Sequence, residues 1–143
     1  MNLRNASRAG TAQNSPYFDL ETLENVMKTV AGVILGYLFF AVPVFLLFRA
    51  THQDPHAPTI MGFEIMAIVY GLFFAFFAGY WGTMIGCRSD LLVATIIAVI
   101  MAAIAVISMI AKGVSWSPMS ALVLMVPAEL VGGYVRARRE RRT

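Results

Sequence analysis

VMKTVAGVILGYLFFAVPVFLLF, residues 26–48, is the stretch that decides the fold. As a helix rising about 1.5 Å per residue it reaches about 34 Å, enough to cross a hydrocarbon core of about 30 Å. Its one charge is Lys28, near its start. Three further apolar segments follow, at about 60–85, 91–111 and 116–135. The third holds neither a charge nor an aromatic ring. The fourth opens with Ser115-Trp116-Ser117-Pro118, where a serine can cap a helix and a proline suits its first turn. A closed β-barrel is the other way to satisfy backbone groups in lipid, but it needs alternating strands of about ten residues, which are absent. The pattern predicts an all-α integral membrane protein with four transmembrane helices.

Composition agrees. The chain has 143 residues, 59% of them hydrophobic and only 13% charged, with a mean hydropathy of +0.72. In soluble domains about a quarter of residues are charged. The formal charge of +3 invites a nucleic-acid reading, but five of the eleven basic residues, Arg136, Arg138, Arg139, Arg141 and Arg142, follow directly on the fourth apolar segment. Charge so placed orients a membrane protein and contacts anionic lipid headgroups, each residue contributing about 1 kcal/mol near such a surface. One cysteine, Cys87, excludes an intrachain disulfide and a thiolate metal cluster.

The basic residues also predict which way the bundle faces. Arg4, Arg8, Lys28, Arg88 and the five C-terminal arginines lie on one side, nine in all, against Arg49 and Lys112 on the other. That bias places both termini in the cytoplasm and the chain in a bacterial cytoplasmic (inner) membrane as a multi-pass protein. Segment one is too long and too late for a signal peptide and is expected to be retained. Short second and third connections force successive helices to be antiparallel neighbours, an up-down-up-down bundle. Three regions result. Residues 1–24 are a cytoplasmic segment, disordered and then an interfacial helix that uses Phe18, Leu20, Leu23 and Met27; residues 25–136 are the bundle; residues 137–143 are a basic tail.

Small residues recur every four positions: Gly32 and Gly36 in the first span, Ala67, Gly71, Ala75 and Gly79 beside Ala78, Gly82 and Gly86 in the second, Ala94, Ala98 and Ala102 in the third, and Ala128 and Gly132, then Gly133 and Ala137, in the fourth. Lipid supplies no hydrophobic drive for helix association, so close backbone approach along such rows supplies van der Waals contact instead. The functional alternative is a groove that admits a flat ligand. Opposite its glycine row the second span carries Tyr70, Phe73, Phe74, Phe76, Phe77, Tyr80 and Trp81. One reading puts these rings against lipid, with Tyr80 and Trp81 in the interfacial belt. The sharper one makes Tyr70, Phe73, Phe74, Phe77 and Trp81 a face for a partner subunit, a quinone or a pigment.

Ionisable groups within the spans are costly and are functional candidates by default. Glu64 lies one turn inside the second span and reads as an interface acid. Glu129 is deeper and follows Pro127, whose ring removes a helix hydrogen bond. It is either satisfied by a snorkelling Arg136, Arg88 or Lys28, or kept protonated, or it is a proton or cation site with Thr95, Ser108 and Tyr37 as inward companions. No span contains a histidine, which removes histidine-ligated haem and chlorophyll. His52 and His56 flank Pro55, which opposes the helix that an H-x3-H metal pair needs, so no metal site is expected. Walker, nucleophile-elbow and H-E-x-x-H motifs are absent, so an enzyme is not expected. Ala78-Gly79-Tyr80-Trp81 faintly echoes Gly132-Gly133-Tyr134-Val135, a parallel repeat of the kind some transporters use. Small multidrug-resistance transporters share the helix count, but they carry an embedded glutamate in the first helix, and here that helix has none. Two functions remain: an accessory or structural subunit of a larger membrane complex, respiratory or photosynthetic, or a small homo-oligomeric transporter or channel that titrates at Glu129.

Overall fold

From Thr29 to Phe48 no charge interrupts the first segment, which runs straight on from its acidic start, and α1 is one helix, Leu20–Thr51, in the computed structural model. The structure describes residues 20–54, 56–57, 60–86 and 91–142, and contains no strand among them. The N-terminal segment with Phe18, and the second loop with Cys87 and Arg88, lie outside the described residues. Leu20, Leu23 and Met27 belong to the same helix as the span, with no separate interfacial helix between them. The others are α2, Met61–Ile85, α3, Leu92–Lys112, and α4, Trp116–Glu140. All four are long and apolar enough to cross a membrane. Within α4, residues Ala121–Met125 are π-helical and the flanking segments Trp116–Ser120 and Val126–Glu140 are α-helical. Pro127 explains the position of this turn, because its missing N–H breaks the ladder just upstream. The helix also continues through the basic run to Glu140, where Arg136 pairs with Glu140 at 2.5 Å across one turn.

Contacts at small residues order the bundle. Gly32 lies on the backbone of Gly82 and Gly86, Gly36 on that of Ala78 and Gly82, and Phe39 and Phe48 meet the rings of Phe74 and Phe63, so α1 and α2 run antiparallel. Along α2 and α4 the pairs Gly71–Met125, Gly79–Glu129 and Thr83–Gly133 advance together, so those two helices are parallel neighbours. α3 closes the group with Val93 on Gly86, Ala94 on Gly133, and the fully buried Ile97 between Gly36 and Gly82. The core is Ala75, Val93, Ile97, Met101 and Met125. Two glycine contacts in the α2/α4 pair are reciprocal. A methyl group on Gly79 would overlap the carbonyl oxygen of Glu129, and one on Gly132 would overlap that of Phe76. Each helix thus rests a glycine on the other's backbone three residues upstream. The sequence echo aligns Gly79 with Gly133, whereas this geometry matches it with Gly132.

α1 stops at His52, whose φ of 53° lies in the left-handed region. A Cβ is costly there, and glycine is the usual residue at this position after a helix. His52→Gly is expected to raise stability by about 0.5–1 kcal/mol. A chemical or thermal melt in detergent checks this, and a lower midpoint would show that the imidazole holds the loop.

Candidate functional site

Glu129 sits in the first turn of the α segment after the π-turn, and its register there faces the glycine row of α2. It is 0% exposed, and neither carboxylate oxygen has a hydrogen-bond partner. Gly79 makes the room: an ideal Cβ on that residue would lie 3.1 Å from Glu129 Cγ. One turn further along the same seam, the Thr83 hydroxyl is also buried and unpartnered, 3.2 Å from where a Cβ of Gly133 would stand. Arg136, two turns beyond Glu129, bonds Glu140, and its Nε is buried without a partner. Lys28 pairs with Glu24 at 2.5 Å. Neither of these cations is paired with the carboxyl.

The arrangement collects buried polar atoms along one seam: two carboxylate oxygens, a hydroxyl and a guanidinium nitrogen. A carboxyl there can hold a proton or accept a donor that reaches it, and desolvation makes either interaction strong. Its expected companions lie elsewhere. Thr95 is exposed, and Tyr37 and Ser108 line a separate cavity between α1, α3 and α4. Thr83 is the group that sequence reasoning missed. The signal was present, because Thr83 continues the row Ala67, Gly71, Ala75, Gly79 by one more step of four.

The α2 rings divide between two surroundings. Tyr70 and Phe74 turn to α1, where Phe74 lies 5.8 Å from the Phe39 ring and the Tyr70 hydroxyl donates to the Pro43 carbonyl at 3.5 Å. Phe73 packs edge-on to Phe74 at 5.3 Å and against Phe77 at 4.7 Å, yet it stays 56% exposed; Trp81, beside Tyr80, is 41% exposed. Glu64 lies in the first turn of α2. The two loop histidines part company: His52 is exposed beside Arg49 and Gln53, and His56 turns inward to Ser108 and Ser115. Among the described residues no three of His, Cys, Asp and Glu converge. Arg138, Arg139, Arg141 and Arg142 are exposed at the end of α4.

Four helices of this length and apolarity make the chain a multi-pass membrane protein by class. No protein-family model matches it, and neither the curated proteins nor the solved structures contain a match.

Proposed function

We propose that the chain is a small accessory subunit of a larger membrane complex, docking on its partner through the exposed rings of α2 and carrying no catalysis of its own. One observation carries the reading. The outward surface of α3 is aliphatic, with Val99, Ile104, Ile107 and Ile110 exposed, whereas α2 presents Phe73 within a run of touching rings from Tyr70 to Phe77, and Trp81 in a second ring pair with Tyr80. Lipid contact alone is served by the α3 kind of surface. Rings bury more area each and pair in preferred geometries, which suits a protein or cofactor surface. The nine-to-two bias of basic residues supports both termini facing the cytoplasm of an inner membrane, with the C-terminal arginines at anionic headgroups.

The test is purification of a tagged chain from its native membranes in mild detergent, with mass spectrometry and an absorption spectrum of what co-elutes. Other membrane subunits or a pigment are expected in stoichiometric amount. The Phe73→Ala/Trp81→Ala double variant should lose them while keeping its helix content and melting midpoint. A lone homo-oligomer from native membranes would overturn the reading.

The unpartnered oxygens of Glu129 favour a second reading, a small homo-oligomeric transporter or channel that titrates there. It ranks below the first because the carboxyl is sealed from solvent. Glu129→Gln abolishing a proton-coupled flux in vesicles, with assembly intact, would promote it.

A further inference from the structure

We propose that the space between α1, α3 and the first turns of α4 is a binding site for an amphiphile with a slim apolar body and a hydrogen-bonding head. The cavity measures about 250 Å³. That exceeds the roughly 150 Å³ known to admit a benzene-sized molecule. Phe40, Val44, Met101 and Ala105 form its walls, and along α1 it extends from Tyr37 to Phe48, about 16 Å of helix. Its shape is therefore a slot, matched to a chain or a narrow ring system. Ile104, lining it at 47% exposure, marks its open side.

Its polar groups are few and sorted by depth. Tyr37 stands at the inner end, and its hydroxyl makes no hydrogen bond among the described residues. At the other end His56 leans over Ser108 and Ser115. Its Nε2 lies 3.4 Å from Ser108 Oγ and its Nδ1 lies 3.4 Å from Ser115 Oγ. Both distances exceed the ordinary hydrogen-bond range, so the imidazole can exchange a serine for a better partner at little cost. A neutral imidazole offers one donor and one acceptor, and the hydroxyl of Ser108 stands beside it. His56 is also held from behind, its backbone N–H donating to Asp54 Oδ1 at 2.9 Å. An apolar slot with a fixed polar group at its mouth, among the first and third connections of the bundle, places a head at the level of the helix ends and a tail between the helices. The wall at α4 is built by Pro118 and Ala121, the latter opening the π-turn, a distortion frequent at functional sites.

The chemistry fits two sources, a quinone with its carbonyl at His56 or a lipid acyl chain with its carboxyl or ester there. The purified full chain in detergent distinguishes them. Trp116 reports on the mouth, its ring 6.3 Å from Phe48 and its Nε1 donating to Ala57 O at 3.4 Å. A Trp81→Phe background leaves it the only tryptophan. Titration with a decyl-substituted benzoquinone, and separately with a brominated fatty acid, should give saturable quenching with at least one probe at one site per chain. Saturation by the benzoquinone alone assigns a quinone, by the fatty acid alone an acyl lipid, and by both a site that reads only the shared chemistry. Ala105→Phe, which fills the slot, should abolish the saturable phase, and His56→Ala should weaken it about tenfold. Quenching that is linear and equal in the parent, Ala105→Phe and His56→Ala overturns the proposal. If Ala105→Phe loses its helical signal, Ile104→Phe at the exposed rim takes its place under the same criterion. The assay uses the isolated chain, so its outcome does not depend on the docking face of α2.

Discussion

Replacing Gly132 by alanine is expected to destabilise the bundle by about 1–3 kcal/mol, the usual cost of forcing an extra methyl group into a packed interior. Gly79→Ala should cost a similar amount, and Gly132→Val more. The reason is the partner atom. At both positions the methyl would overlap a backbone carbonyl oxygen of the facing helix, which cannot swing aside as the end of a side chain can. The two contacts share one seam, so the double variant should cost less than the sum of the singles, since the first substitution already parts the helices. Gly62→Ala is the internal control. Nothing lies within 4 Å of a Cβ there, and alanine in place of glycine in an exposed helix should add about 0.5–1 kcal/mol. Unfolding followed by circular dichroism in detergent reads all five. A Gly132→Ala protein as stable as its parent would mean that α2 and α4 are not in backbone contact.

Glu129→Met is expected to act in the opposite direction and raise stability by about 1–3 kcal/mol. The parent buries two carboxylate oxygens with no donor to meet them, and a buried group left unsatisfied costs about that much. Methionine has a similar volume and no such debt, and replacement of buried charged groups by apolar ones of matched size is often stabilising. Glu129→Lys should instead fail to assemble, since Gly79 leaves space for a slim side chain but offers no acceptor. The same melts decide the matter. A Glu129→Met protein that unfolds earlier than its parent would show that the carboxyl holds the seam through a donor. A stabilised protein that has lost function would mark Glu129 as a residue kept at the expense of stability.

Much of this architecture is legible in the chain. The four spans follow from apolar length alone, and the small-residue rows point to the packed faces because Gly32, Gly36, Gly71, Ala75, Gly79, Gly82 and Gly132 are all buried. What escaped depends on rotation about each helix axis. Depth alone groups Tyr37 and Ser108 with Glu129, but their helices turn both into the slot between α1, α3 and α4, where Ser108 meets His56. Thr95, on α3, points outward. No hydropathy pattern carries that angle. Nor could the sequence announce the π-turn, since Pro127 marks a weakened ladder without saying how the turn before it would adjust. The aromatic face is visible as a list of rings; that Tyr70 and Phe74 belong to the α1 contact while Phe73 stays exposed follows only from the antiparallel placement of α1.

The π-turn at Ala121–Met125 can also be seen as a record of chain length. A π-turn spends one residue more than an α-turn over nearly the same rise, so it absorbs a single-codon insertion without disturbing either flank. In a regular helix one added residue rotates everything after it by about 100°. Such a twist would carry Glu129, Gly132 and Gly133 off the α2 surface together. The segment between Ser120 and Val126 is therefore the place in α4 where a lineage can gain or lose one amino acid and keep both faces in register.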